Sequence, residues 1–225
     1  MSETTQEIIY YVVAALLVAA LIYGLYRAKR WLAGAKVQAL EDLERFTGKY
    51  GFVVEGEPPK LRGTVDGIEL VFDRGGVMLE SRGRGGTHKL LRVTSSCDRP
   101  QRWLACARFL LDDMVHPLPE LGRELRVEGD DAFNEALLLR AEREEDVPFL
   151  AAPAVRRALL DRKLRLARVG EGKVELSFDY FSYTEGAALA SYDELEGALA
   201  ATLAVCRPAQ AARYLEAGAH SISLT

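Results

Sequence analysis

Residues 61–73 read Leu-Arg-Gly-Thr-Val-Asp-Gly-Ile-Glu-Leu-Val-Phe-Asp, and this stretch decides the fold. Two β-rich runs, Leu61–Val65 and Ile68–Asp73, flank Asp66-Gly67. A two-residue link of this kind needs φ > 0 at both positions, which Asp tolerates and Gly favours, so it marks a tight antiparallel hairpin. The pattern spreads outward from there. Upstream, Phe52-Val53-Val54 reads as a strand closed by the rigid break Gly56-Glu57-Pro58-Pro59. Downstream, Asp73-Arg74-Gly75-Gly76 reads as a second turn. Val77–Ser81 and Lys89–Ser96 then form a hairpin around the loop Arg82–His88. The expectation is an antiparallel meander of four or so strands.

Further along, Arg102–Val115 fits two patterns. Trp103, Ala107, Leu110 and Met114 suit a helical stripe, whereas Trp103, Ala105 and Ala107 suit a strand. Leu125–Val127 reads as a short strand entering a turn at Gly129-Asp130-Asp131. Asn134–Glu142 consists of good helix formers. Ala151–Leu160 is a helix with Pro153 near its start and Val155, Leu159 and Leu160 facing inward. Leu164–Val169 and Lys173–Phe178 pair across Gly170-Glu171-Gly172, and Asp179–Glu185 either extends the pair or loops away. The last element is a long helix from Tyr192, announced by the capping box Ser191…Glu194. Leu195, Leu199, Leu203 and Cys206 form its inner stripe, Pro208 kinks or restarts it, and Gly218–Thr225 is a tail.

The N-terminus has a different character. Ile8–Tyr26 is an uncharged apolar run of 19 residues, ~28 Å long as a helix. A cleaved signal peptide would start basic and offer a small-residue cleavage site, but here Glu3 and Glu7 precede the run and RAKRW follows it. A buried core helix would be amphipathic. The reading is a single transmembrane helix. Arg27, Lys29 and Arg30 directly after it place the remainder on the cytoplasmic side by the positive-inside rule. These three, with Trp31, are the expected membrane-interface anchors. The Ala20-xxx-Gly24 spacing permits close helix contact but is ordinary in such spans. Residues 1–7 are thus a short extracytoplasmic tail and 8–26 the span. Residues 27–50 form a juxtamembrane helix or stalk that Gly48 and Gly51 end, with Leu32, Lys36, Ala39, Leu40, Leu43, Phe46 and Thr47 along one face. Residues 51–215 form a cytoplasmic domain, in one piece or as two halves (51–128 and 129–215), and 216–225 a tail. The class is α+β: an N-terminal transmembrane helix, a mainly antiparallel sheet domain and a long C-terminal helix.

Composition narrows function mainly by exclusion. Setting aside the two acids and three bases of the first thirty residues leaves 26 basic against 31 acidic side chains, a poor balance for coating nucleic acid. The three cysteines, Cys97, Cys106 and Cys206, include no CxxC pair and suggest neither a disulfide framework nor a zinc site. Free thiols suit a reducing compartment, in keeping with the cytoplasmic placement.

The motif Gly129-Asp130-Asp131-Ala132-Phe133-Asn134, preceded by a short strand and followed by ALLLRAE, resembles a family of uncharacterised, membrane-anchored bacterial proteins with a Gly-Asp-x-x-Phe-Asp turn. The Gly63–Gly67 hairpin is similar to that family's early strands. The resemblance covers about residues 45–210, and Asn134 departs from the family's aspartate. It implies that Ala136–Glu142 is a strand, against its propensity, and that the protein belongs at a bacterial inner membrane. It implies no activity.

Candidate chemistry is sparse. In the RGRGGTHK segment, Arg82, Arg84, His88 and Lys89 could hold an anion or a lipid headgroup, or simply keep a hairpin loop solvated. The segment lacks the glycine spacing and the lysine–hydroxyl pair of a nucleotide-binding loop. Asp112, Asp113 and His116 do not complete a metal set, and no HExxH is present. No Gly-x-Ser-x-Gly elbow surrounds any serine. Asp130 and Asp131 suit a turn better than catalysis. Tyr180, Phe181 and Tyr183, after Phe178-Asp179, offer an aromatic partner surface or pack the hairpin end. The expectation is a membrane-anchored interaction or scaffolding domain without catalytic residues, metal or cofactor. Its partners would be the membrane and another protein, not nucleic acid, and its oligomeric state is left open. The alternative is a small-molecule or lipid-binding domain, gripping its ligand between the sheet and the C-terminal helix.

Overall fold

The computed structural model describes residues 3–81, 84–96, 102–111, 121–170, 172–179 and 190–219, and leaves out the side chains of 3–12, 14, 15, 76–81, 84–89, 111, 148 and 217–219. The fold is α+β, built among the described residues on nine antiparallel strands: β1 (Val53–Glu55), β2 (Lys60–Val65), β3 (Ile68–Ser81), β4 (Arg84–Ser96), β5 (Trp103–Ala107), β6 (Arg123–Leu125), β7 (Leu137–Ala141), β8 (Leu164–Gly170) and β9 (Lys173–Asp179). Their order is β1-β2-β3-β4-β9-β8-β5-β7-β6, so strands from both sides of residue 128 share one sheet. Six helices accompany it among the described residues: α1 (Glu3–Tyr50), α2 (Arg108–Leu111), α3 (Asp131–Ala136), α4 (Pro153–Asp161), α5 (Tyr192–Cys206) and α6 (Ala211–Ala219).

The hairpin that decides the fold forms as its residues dictate. Asp66 and Gly67 take φ of 51° and 76°, and Val65 pairs with Ile68. The second expected turn does not form. β3 runs straight through Asp73-Arg74-Gly75-Gly76, with Gly75 opposite Leu90 and Gly76 opposite Lys89. Here glycine permits close approach rather than reversal: a Cβ on Gly75 would lie 3.1 Å from the Arg92 Cβ. Arg92 uses that room to fork onto Asp73 through two 2.7 Å hydrogen bonds from the facing strand position. The hairpin arms therefore extend much further than expected, and Arg84, His88 and Lys89 lie on β4 instead of in a loop. β9 pairs with β4 only from Leu90 onward, which leaves 76–81 and 84–89 as a two-stranded ribbon.

Both patterns in the ambiguous segment are realised in turn: residues 103–107 form the fully buried β5, and the chain then coils into α2. Asn134–Glu142 divides in the same way. Its first residues end α3, and Leu137–Ala141 forms β7 between β5 and β6, where pairing on both edges outweighs helix propensity. The short strand expected at Leu125–Val127 sits two residues earlier, at Arg123–Leu125.

α5 crosses the sheet with every residue from Leu195 to Cys206 buried, so it is a core helix and not a one-sided stripe. Its N-terminus carries the expected box, with Ser191 Oγ accepting from Glu194 N–H and Glu194 accepting from Ser191 N–H. A 3₁₀ turn at Pro208–Gln210 restarts the chain as α6. At the other end of the core, Phe46, Phe52 and Phe72 interlock with ring centroids 5.2–5.6 Å apart.

α1 is a single helix of 48 residues. On its expected inner face, Leu43 and Phe46 are buried, whereas Leu32 and Leu40 are exposed, so only its last turns dock. The large apolar side chains described between Val13 and Tyr26 are all exposed. Among the described residues no helix is long and apolar enough to cross a membrane, and the side chains of Ile8–Val12 fall outside them.

Candidate functional site

The geometry that stands out lies where α1 meets α5. Tyr192 and Glu196 share one face of α5 at the i,i+4 spacing, and Lys49 and Tyr50 close α1 immediately before Gly51, whose φ of 71° and N–H bond to the Thr47 carbonyl end the helix. Glu196 is 3 % exposed, and its Oε1 accepts from Lys49 Nζ at 2.5 Å, Tyr50 Oη at 2.6 Å and Tyr192 Oη at 2.9 Å. Lys49 Nζ also lies 3.1 Å from Tyr192 Oη, and the Arg45 guanidinium stacks 4.0 Å from the centre of the same ring. A carboxylate this buried needs such a retinue, since an unpaired buried charge is strongly destabilising.

The electrostatics follow from the contacts. The hydrogen bond to Glu196 raises the Lys49 ammonium pKa well above its ordinary value, against the opposing effect of burial. Burial, reinforced by the bond to Glu196, pushes the Tyr50 phenol up to about 12. At neutral pH the lysine is charged, the phenol is protonated, and the cluster works as a fixed joint and not as a proton relay.

Tyr50 and Glu196 also border a groove of about 190 Å³ between α5, α6 and the β2–β3 turn. Its apolar wall comes from Val65 and from Leu199, Ala200 and Leu203 of α5. At the far end stand Asp66, which accepts from Tyr214 Oη at 2.9 Å, and Arg213, whose Nη2 is 3.6 Å from the same carboxylate. Burial and the contact with Asp66 raise the Tyr214 pKa. The turn is pinned by Arg207, which donates to the Asp66 carbonyl at 2.6 Å.

The sequence-derived sites are placed differently. Arg27, Lys29, Arg30 and Trp31 lie on exposed turns of α1, after the apolar run. Arg84, His88 and Lys89 occupy the β4 ribbon, and Arg82 lies outside the described residues, as do Tyr180, Phe181, Tyr183, Cys97, Asp112, Asp113 and His116. Asp179, just before the aromatic segment, pairs with Leu90 at the foot of the ribbon. The Gly129–Asn134 turn sits at the opposite side of the sheet, beyond β7.

That turn is a structural lock. Gly129 adopts φ 73°, Asp130 caps α3 by accepting from Phe133 N–H and pairs with Arg156 Nε at 2.7 Å, and Phe133 is buried. The Arg156 bond holds the Asp130 carboxyl below its ordinary value. Asn134 accepts from Val127 N–H at 2.9 Å and donates to the Val127 carbonyl at 2.8 Å. An amide can do both, whereas an ionised carboxylate could only accept. Arg156 donates further to the Leu150 carbonyl.

Of the cysteines, Cys106 and Cys206 are buried thiols outside any disulfide; burial pushes the Cys106 thiol up to about 11, far from a reactive thiolate. Among the described residues no group of three or more His, Cys, Asp and Glu side chains could hold a metal. Comparison of the chain with protein-family models, curated proteins and solved structures returned no match. The functional reading therefore rests on geometry and sequence.

The Glu196 joint escaped sequence reasoning because two of its three donors lie 146 and 147 positions away. One signal was present: a glutamate followed by ten residues, Gly197–Cys206, without a charge.

Proposed function

We propose that this chain is a membrane-anchored protein that holds an α+β interaction module at the cytoplasmic face. The apolar run Ile8–Tyr26 spans the bilayer, and Arg27, Lys29 and Arg30 meet the headgroups. The observation that carries this reading is the continuity of α1. The helix that contains the apolar run is the same one whose last turns enter the domain core through Phe46 and join α5 through Lys49, Tyr50 and Glu196. Such a joint suits a module that must be presented to a partner protein at a set height and orientation. Residues 27–42 alone give ~24 Å of helix between bilayer and domain. The activity is binding, with no chemical step.

The reading is tested in a bacterial host with a C-terminal tag on the full chain. Resistance of the tagged chain to alkaline carbonate extraction, with the tag protected from protease until the inner membrane is breached, is the expected result. Release by carbonate, or digestion of the tag from the outer face, would overturn it. Cross-linking in intact cells that repeatedly captures no protein would remove the interaction role.

A small-molecule-binding domain is the second reading. It is favoured by a cleft of about 180 Å³ between sheet and α5, lined by Leu91, Phe178 and Ala198 with Arg162 and Lys163 at its side.

A further inference from the structure

The sheet has two unlike faces, and its register separates them. One row of paired positions across β9, β8, β5, β7 and β6 reads Leu176, Ala167, Ala105, Leu139 and Leu125, all buried. This is the core side, where Phe72 meets Phe46 of α1 and Ser95 meets Cys206 of α5. The next row, one residue along each strand, reads Glu175, Arg168, Leu104, Arg140 and Glu124. Strand alternation turns this row to the other side, away from α1 and α5.

The charges of that second row do not balance. Glu124 is taken by Arg108 at 2.5 Å and Arg126 at 3.6 Å, although Arg140 stands across from it. Arg140 and Arg168 form no ion pair among the described residues, and the buried Nε of Arg140 has no acceptor. Glu175 is the register neighbour of Arg168 but makes no ion pair with it. Arg102 adds a guanidinium beside Arg168: a Cβ on Gly170 would lie 3.6 Å from its stem. Lys173 and Glu142, at and just past the strand ends, offset each other. Cationic charge is therefore in excess around Leu104, which is 2 % exposed between Arg140 and Arg168. Those two arginines stand two strand spacings apart, ~10 Å. A guanidinium fork grips a carboxylate through two parallel hydrogen bonds, so the pair is complementary to carboxylates of similar separation. Glu175 and Glu124 close the row at its two ends. A nucleic acid strand, negative along its whole length, would meet repulsion on leaving the arginines, whereas a short acidic stretch of polypeptide would not.

We propose that β8, β5 and β7 present the docking surface for a partner protein, which contributes a short acidic segment whose carboxylates engage Arg140 and Arg168. This names the partner's chemistry and rests on the interaction role proposed above. The surface lies on the opposite side of the sheet from the α1 joint, so docking leaves the joint undisturbed.

The test is fluorescence anisotropy of a short labelled peptide of alternating Glu and Ala, titrated with the detergent-purified full chain. Salt is kept at ~0.15 M, where loose attraction between exposed charges is screened. The expected result is saturable binding, about tenfold or more tighter than for the Gln–Ala counterpart. Arg140→Gln and Arg168→Gln should each weaken it several-fold, whereas Glu175→Gln, which removes a competing carboxylate, should tighten it. Arg157→Gln, on an exposed arginine of α4, should change nothing. Equal affinity for the two peptides, indifference to Arg140→Gln and Arg168→Gln in chains that still melt cooperatively, weaker binding in Glu175→Gln, or no saturable binding would each overturn the proposal. So would displacement of the peptide by oligothymidylate at a lower concentration than by unlabelled peptide. Failure here beside successful cross-linking in cells removes this surface and leaves the interaction role standing. Peptide binding beside digestion of the tag from the outer face supports the surface and overturns only the topology.

Discussion

Asn134 shows how far a single side chain can be read. Its amide satisfies both the N–H and the carbonyl of Val127, and an aspartate could satisfy only the N–H. Asn134→Asp is therefore expected to leave one part-buried carbonyl without its donor and to cost about 1–3 kcal/mol, measured by urea denaturation at neutral pH. Tyr50 gives a prediction with a sign. Its pKa is about 12 in the folded chain against 10.0 for a free phenol, so the unfolded chain ionises first as pH rises. The stability this group contributes is complete below pH 10.0 and drains away towards pH 12. Tyr50→Phe removes that dependence. Urea midpoints should fall less steeply over this interval in the variant than in the parent, and parallel slopes would show that Glu196 does not hold the phenol. At this scale the hairpin at Asp66-Gly67 was legible, because its positive φ values are a local property of two residues. The Glu196 joint was not, because two of its three donors come from the far end of the chain.

Elements were legible where their reason is local and misread where it is tertiary. The capping box at Ser191 and the restart at Pro208 were both visible, each being the behaviour of a few adjacent side chains. Leu137–Ala141 is helical by propensity, while the resemblance implied a strand; it is a strand, because β5 and β6 claim its two edges. Gly75-Gly76 looked like a turn and is a strand interior, because Arg92 needs the space. α1 shows the same divide: its helicity follows from composition, but which turns dock does not. Phe46 contributes most to that docking. It is fully buried and touches the rings of Tyr50, Phe52, Phe72 and Tyr192. Phe46→Ala is expected to cost about 3–5 kcal/mol, read as a lowered denaturation midpoint, and to loosen α1 from the domain so that limited proteolysis cuts before Phe52.

For the whole molecule, the sheet order could not be derived from sequence. Adjacent strands pair early in the chain, but β4 meets β9 and β5 meets β8, and such distant contacts leave no local trace. The proposed split between anchor and domain is testable by truncation. A chain beginning at residue 31 keeps Leu43, Phe46, Lys49 and Tyr50, and should fold as a protein that no longer sediments with membranes. A chain beginning at residue 51 lacks the joint, leaves Glu196 buried without two of its donors, and should melt well below the first. Equal melting temperatures for the two would show that α1 adds nothing to the domain beyond its length.

The unbroken course of α1 sets a rule for its own length. Each residue inserted between Arg27 and Asp42 would lift the domain by ~1.5 Å and also swing it through ~100° about the helix axis. Seven residues add up to nearly two complete turns, so a heptad insertion raises the domain by ~10 Å and restores its heading to within ~20°. Two residues barely change the height, yet turn the opposite side of the sheet towards whatever stands beside it. In this stretch the tolerance to insertion and deletion should therefore be periodic, governed by angle before distance.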